Sequence, residues 1–279
     1  MVANEIKRNY MITFLFWNIQ GKDLQEFVAN IATVNKVDII ILAECKINAG
    51  VLLSELNRST NEYYYSPCIG CRKILIFLRF PVRFFPIVLE DHRLTIRHLT
   101  LPCIAKDILV AATHFSSKQD WEKDSQTIEA VFLASLIKQA EKQVRHCRTV
   151  LVGDLNMNPF ESGVAGSLKG VMSRDIALKG TRQVQFKRFQ VFYNPIWNFW
   201  GDATPGPPGT FYNNRSEHVN LYWHMLDQVL VRPDLLDTFD TNDLQILSTD
   251  GNTSFLSKKG LPNQSLFSDH LPILFKMKL

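Results

Sequence analysis

Apolar residues in this chain fall into short unbroken runs, and most of those runs end on a polar residue. Ile12 to Trp17, Val37 to Ala43, Ile74 to Leu78, Ile108 to Ala112 and Val150 to Val152 are rich in β-branched and aliphatic side chains and too short for core helices. Runs of this length with no alternation read as strands of sheets covered on both faces. Two more strands are expected around Asp227–Val231 and Phe267–Leu274. Helical spacing fits between them. Asp23 to Val34 carries Leu24, Phe27, Val28, Ile31 and Val34, with Asp23 as the expected cap. Asp120 to His146 is a longer helix, with Ile128, Val131, Phe132, Ala134, Ser135, Leu136 and Ile137 as its core-facing stripe. Trp200 to Gly209 is a loop by its glycines and prolines, and the aromatics beside it are expected to anchor it.

The polar residues that close the runs are all of a few kinds. The first strand delivers Asn18 before breaking at Gly21, the second delivers Glu44, and a third finishes in His114. Val150–Val152 leads into Gly153-Asp154-Leu155-Asn156, Asp227 opens a strand, and Asp269-His270 opens the last one. Two positions apart on an extended chain, Asp154 and Asn156 are expected to leave the same face. Turns and caps use Gly, Asp and Asn as well, and any one island is explained that way. The whole set is not, because every island carries Asn, Glu, His or Asp, the residues that hold a hard cation and move protons. Four carboxylates, two amides and two imidazoles at strand ends meet the needs of phosphate-ester hydrolysis: a cation for charge, a base for water and donors for the transition state.

Composition narrows this further. At 279 residues with no Ser/Gly linker, repeat or low-complexity tract, residues 1–279 are expected to form one domain. The net charge of +4 permits a polyanionic partner without requiring one. The run Lys179, Arg182, Lys187 and Arg188 could track a phosphate backbone or be an ordinary solvated face. No apolar stretch approaches the length of about eighteen residues that a transmembrane helix requires. Five irregularly spaced cysteines fit a reducing compartment, and a cytoplasmic protein is expected. Cys68 and Cys71 have zinc-knuckle spacing but no second pair, so both are read as free thiols in a loop.

The motif order Trp17-Asn18-Ile19, Ala43-Glu44, Thr113-His114, Gly153-Asp154-Leu155-Asn156, Leu226-Asp227-Gln228 and Ser268-Asp269-His270 resembles the endonuclease/exonuclease/phosphatase superfamily across the whole chain. The resemblance implies an α/β fold, a four-layer sandwich of two mixed β-sheets flanked by helices. It implies Glu44 as the principal ligand of Mg²⁺ (or Mn²⁺), with Asn18 and Asp269 completing or supporting the metal shell. Asp154 would orient and deprotonate water, Asn156 would donate to a phosphate oxygen, and His270, fixed by Asp227, would contact the scissile phosphate. His114 resembles the second phosphate-facing histidine of the deoxyribonuclease-like branch. That branch pairs it with a glutamate on an earlier strand, where Cys71–Leu78 aligns a basic residue here. His114 is therefore expected to lack a carboxylate partner. The expected activity is a metal-dependent phosphodiesterase acting on DNA or RNA. A phosphomonoesterase or phospholipid hydrolase is the alternative; Phe80–Pro86 could supply the apolar hairpin a lipid enzyme needs but is expected to be a buried strand connection, and an inactive nucleic-acid-binding scaffold is a third reading.

Overall fold

A computed structural model describes residues 10–59, 61–118, 122–201, 203–216 and 218–279. The first strands in chain order are β1 (Met11–Asn18), β2 (Ile39–Ala43), β3 (Tyr64–Ser66), β4 (Ile74–Leu78), β5 (Ile87–Asp91) and β6 (Leu94–Leu99). They are followed by β7 (Ile108–His114), β8 (Thr149–Asp154), β9 (Gly170–Val171), β10 (Thr181–Val184), β11 (Lys187–Gln190) and β12 (Phe192–Tyr193). The last are β13 (Phe211–Tyr212), β14 (Trp223–His224), β15 (Asp227–Val231), β16 (Gln245–Ile246) and β17 (Ile273–Lys278). The α-helices are α1 (Gln25–Asn35), α2 (Ala49–Leu56), α3 (Lys123–Val144) and the single turn α4 (Arg174–Ala177).

Two large sheets organise these elements. One runs β16-β17-β1-β2-β4-β3 and the other β5-β6-β7-β8-β15-β12-β9. Each is mixed: β1 is parallel to β2, and β7 to β8, while the strands flanking these pairs are antiparallel to them. The expected fold class is thus the one observed. Alternate side chains of β1 show how the layers form. Phe14 and Phe16 enter the core between the sheets with Ile39, Ile41, Val110, Val150, Val152 and Val229. Leu15 and Trp17 enter a second core with Val28 and Ile31 of α1 and Leu52 of α2. A third core joins Leu109, Ala111 and Leu151 to Ala130, Leu133 and Ile137 of α3. A strand apolar on both faces is therefore covered on both, and each fully buried side chain of this size contributes roughly 1.5–3 kcal/mol.

The helices depart from expectation in detail. Helix α1 starts at Gln25 with Leu24 at the cap and no side-chain capping bond, so Asp23 does not cap it, and Val34 is exposed. The expected start of the long helix at Asp120 lies outside the described residues. Its expected stripe is borne out only in part: Ile137 is buried, and Ala134 and Leu136 pack against the third core. Ile128, Val131 and Phe132 are exposed, whereas Gln126, Ala130, Leu133, Ile137, Ala140 and Glu141 face the sheet. Small alanines let helix and sheet approach closely. The two polar residues on that face are tied down, Gln126 to the Ser116 carbonyl and Glu141 to Thr149 and Arg232. The final strand begins at Ile273, so Asp269 and His270 precede it rather than open it. Segment Phe80–Pro86 is the expected connection between strands, joining β4 to β5 and burying Phe80 and Phe85. Phe192 and Tyr193 are buried, and Trp197, Trp200 and Phe160 cluster with ring centroids 5.2–6.4 Å apart, anchoring the loop that follows. The five cysteines are free, and no helix among the described residues is long and apolar enough to cross a membrane.

Candidate active site

The parallel pairs point their C-terminal ends to one pole of the sandwich. Asn18 ends β1, Glu44 follows β2, and His114 and Asp154 end β7 and β8. Asp227 opens the antiparallel strand β15 and stands directly opposite Asp154 in register. His270 comes to the same pole because the Trp17 indole N–H donates to its carbonyl at 2.9 Å. Ser268 completes the tie, donating its hydroxyl to the Asn18 carbonyl (2.6 Å) and accepting the His270 N–H (3.0 Å). Asn18, Glu44, His114, Asp227 and His270 thus gather around one carboxylate, with Asn156 beside it and Asp269 4.0 Å from the His270 ring.

That carboxylate is Asp154, which is 1% exposed. Its Oδ1 accepts the Asn156 backbone N–H at 2.8 Å and its Oδ2 accepts the Asn18 amide at 2.9 Å. His114 Nε2 and His270 Nε2 stand 3.7 and 3.8 Å from the same Oδ2. The Asn18 amide orientation is fixed by its surroundings: its oxygen accepts the Gln20 N–H, while its nitrogen faces Asp154 and, at 3.2 Å, Glu44. Asn18 therefore braces two carboxylates.

Gly153 explains why β8 ends as it does. A Cβ there would lie 2.0 Å from the Thr113 carbonyl oxygen, so β7 and β8 approach more closely than any side chain allows. Beyond it the strand stops. Asn156 has φ +50°, in the left-handed region, so the alternation expected of Asp154 and Asn156 does not hold. Its amide donates instead to the Phe115 carbonyl at 3.0 Å, linking the ends of β7 and β8.

His270 and Asp227 form a buried pair, Nδ1 to Oδ2 at 2.8 Å. Burial pushes the Asp227 carboxyl up and by itself disfavours charge on His270. The adjacent carboxylates of Asp227, then Asp154 and Asp269, outweigh that penalty and raise His270 to about 10. An imidazole held charged by its partner is a donor and not a metal ligand. Although Asp154, Asp227 and His270 lie close enough to hold an ion, the pair is better described as an aimed Nε2–H.

Glu44 is the more open carboxylate, with its side chain 41% exposed and its backbone in the left-handed region at φ +49°. His114 Nε2 lies 3.0 Å from Glu44 Oε1, contrary to the expectation that His114 lacks a carboxylate partner. That contact, opposed by burial and aided by Asn18 and His270, lowers Glu44 to about 2. Neither His114 ring nitrogen makes a well-aligned hydrogen bond, so the contact is electrostatic. The pairing was hidden in sequence because the carboxylate comes from the other sheet.

Several neighbours were not picked out from the sequence. Gln20 donates to Asp269 Oδ2 at 2.9 Å, the Thr210 hydroxyl meets the Asp227 N–H, and the Phe211 ring packs 4.9 Å from His270. Gln20 lies between Asn18 and the Gly21 that breaks the first strand, but Thr210 and Phe211 had no pattern to mark them. At the opposite end of β7, His98, Asp107 and His146 also cluster. There Arg148 pairs with Asp107, and its backbone N–H donates to His146 Nδ1 at 3.1 Å. The proton of neutral His146 is thereby placed on Nε2, facing Asp107 at 3.2 Å, and the cluster is an ion-pair network.

Comparison with known proteins agrees with this arrangement. A model described as "Endonuclease/Exonuclease/phosphatase family" matches residues 15–270. No curated protein sequence matches the chain. Among solved structures, TDP2 from C. elegans has 17% identity and a TM-score of 0.59, covering 100% of this chain and 78% of that one. The endonuclease domain of TRAS1, a telomere-specific non-LTR retrotransposon, has 17% identity and a TM-score of 0.55, covering 96% and 99%. D. rerio TDP2 complexed with single strand DNA product has 12% identity and a TM-score of 0.54, covering 96% and 99%. These likenesses show the fold.

Proposed function

Because the chain belongs to the endonuclease/exonuclease/phosphatase family, we propose that it is a divalent-metal-dependent phosphodiesterase whose substrate is a nucleic acid. One observation carries the chemistry: Asp154 Oδ2 is faced at 3.7 and 3.8 Å by two imidazoles, His114 at the end of β7 and His270 in the segment before β17, with His270 held charged. The nucleic-acid substrate is supported by the retrotransposon endonuclease and the DNA-bound TDP2 among the similar structures.

The residues fit a hard cation. Glu44 is ionised and half open, Asp269 lies 4.0 Å from the His270 ring, and the donors are oxygens with no cysteine among them. Glu44 and Asp269 would hold Mg²⁺ or Mn²⁺, with Asn18 bracing Glu44, and the ion would neutralise charge on the phosphate. Asp154 accepts from Asn18 and Asn156 but keeps lone pairs on Oδ2 with which to orient water and take its proton. His270 directs Nε2–H at the phosphate oxygens, while Asp227 fixes the ring and its charge. His114 adds a second imidazole on the Glu44 side. Asn156, whose amide also bonds the Phe115 carbonyl, offers its second N–H to the phosphate. The free thiols support a reducing, cytoplasmic compartment.

The test is hydrolysis, with Mg²⁺ or Mn²⁺, of single- and double-stranded DNA, RNA, an abasic duplex, a phosphoinositide and sphingomyelin, with Asp154→Ala as control. Metal-dependent cleavage of a nucleic acid, lost in the variant, is expected. Turnover of lipid alone would overturn the substrate, and full activity of the variant would overturn the role of Asp154.

A further inference from the structure

The basic run that the sequence left open is a ribbon outside both large sheets, touching the body through Phe189 under the Lys169 ammonium and through Gln190. Strands β10 and β11 pair only with each other, and all ten residues from Thr181 to Gln190 are exposed. A two-stranded hairpin is marginal in water without a partner surface, and none of these residues enters the three cores. Register places Arg182, Val184, Lys187 and Phe189 on one face and Thr181, Gln183, Arg188 and Gln190 on the other. Phe186 caps the turn, fully exposed, beside left-handed Gln185.

From Ile176 to Trp200 the chain holds four cations (Lys179, Arg182, Lys187 and Arg188) and no carboxylate, a charge equal to the net +4 of the whole protein. Among the described residues, none of the four makes an ion pair. The ribbon hangs from the end of the sheet opposite the candidate active site. Tyr193, just after it, pairs with Val231 at the far end of β15, and Gln190 donates to Cys147, just before β8.

We propose that this ribbon is a docking element for duplex DNA, seated in the major groove away from the hydrolytic pole. Charge excludes a second copy of the chain, which would present the same cations. A lipid surface suits the exposed Phe186 but would strand the Thr/Gln face. A B-form major groove satisfies both faces: it is about 12 Å wide and admits a two-stranded ribbon, and its base edges pair with Arg and Gln. The A-form major groove of RNA is too narrow for one. Phe186 would pack at the groove floor while the cations meet phosphates. The choice of DNA rests on the nuclease reading above, and the docking is tested by binding alone.

The experiment is fluorescence anisotropy of a labelled DNA duplex of about 30 base pairs, roughly three helical turns, titrated with the whole protein in chelator across a salt series. For Arg182→Ala/Lys187→Ala/Arg188→Ala, the slope of log affinity against log salt should shrink by up to about 0.9 per cation removed. Phe186→Ala should weaken binding with the slope unchanged. Melting temperature and metal-dependent turnover of bis(p-nitrophenyl) phosphate should match wild type in both variants. An unchanged slope in the triple variant, or equal binding to an RNA duplex of the same length, overturns the inference. Salt-dependent duplex binding lost with the ribbon, in a protein that cleaves no nucleic acid, upholds the docking and refutes the nuclease reading. Cleavage of DNA by a protein whose ribbon variants bind normally does the reverse.

Discussion

Helix α3 is held to the second sheet by a buried ion pair whose removal has a calculable consequence. Arg232 follows β15 and is 5% exposed, and Glu141 in α3 is 3% exposed. The Arg232 guanidinium donates to Glu141 at 2.8 and 3.4 Å and to the Val191 carbonyl at 3.1 Å, and it lies 3.8 Å over the Phe192 ring. Glu141 also accepts the Thr149 hydroxyl at 2.9 Å, so the pair joins the far ends of β8 and β15. Glu141→Ala would leave a guanidinium buried without its counter-charge, which costs about 3–5 kcal/mol. With about 2–4 °C per kcal/mol for domains approaching this size, the melting temperature should fall by roughly 6–20 °C. Glu141→Leu combined with Arg232→Met removes both charges, and the stranded Val191 carbonyl then costs about 1 kcal/mol. The double variant should therefore be more stable than Glu141→Ala, although it lacks more hydrogen bonds. Calorimetry and urea unfolding measure the difference, and turnover per folded molecule should stay unchanged because the candidate site lies at the other end of these strands. A loss below about 1 kcal/mol for the single variant, or a double variant no better than the single, would refute the argument that an uncompensated charge dominates.

Three other outcomes are expected. Gly153→Ala would drive a Cβ into the Thr113 carbonyl oxygen, part β7 from β8 and cost about 3 kcal/mol; wild-type stability by urea unfolding would contradict the close approach. Burial raises Glu90, but the N–H groups of Gly70 and Ile69, the Thr95 hydroxyl and Arg97 more than offset it and lower its pKa. Its contribution to stability is therefore present above the unfolded carboxylate value of about 4.3 and lost as pH falls through the lower folded value; Glu90→Gln should flatten the melting curve against pH in that acid range, and an identical curve would exclude it. Asp227→Asn removes the first of the charges that keep His270 protonated to about pH 10. His270 should then lose its proton at lower pH, moving the alkaline limb of the pH–rate profile toward neutrality and lowering turnover at pH 8 by about 10²-fold; an unmoved limb would separate His270 from that limb.

The parts that could be read in the sequence are those where burial leaves no alternative. Phe14 to Trp17, Ile39 to Leu42 and Ile108 to Ala112 are covered on both faces, and continuous apolarity is the only pattern that such strands can carry. Where they stop, the polar residue is visible by contrast, which is why Asn18, Glu44, His114, Asp154 and Asp227 stand out. Helix α3 misleads for the opposite reason. Its core face is partly alanine and partly hydrogen-bonded Gln126 and Glu141, while Ile128, Val131 and Phe132 face solvent, so counting apolar residues selects a stripe that is only partly right. Short strands such as β9, β12 and β13 have two residues each, below the reach of any periodicity. The His114–Glu44 contact is illegible for a topological reason: it crosses between sheets, and no spacing along one strand encodes it.

The convergence of the candidate site follows from the parallel pairs. In each sheet two adjacent parallel strands end at the same level, and an antiparallel neighbour starts there, so residues far apart in sequence meet without any loop having to reach. Asp227 faces Asp154 across a ladder, and His270 is fixed to β1 by the Trp17 indole and by Ser268. Hydrogen bonds thus hold two acids and an imidazole together before any ligand arrives, as electrostatic stabilisation requires. The same geometry separates tasks. Strand β8 spans Thr149 to Asp154, about 17 Å at 3.3 Å per residue. The end that holds the candidate site is acidic, and the cationic ribbon is tied beside the strand's other end by Gln190 and Cys147. A short phosphodiester can engage only the first of these poles, whereas a long duplex can touch both. On the proposed function, substrate length should therefore change affinity through the ribbon and leave the rate of hydrolysis, assigned there to Asp154 and His270, unchanged.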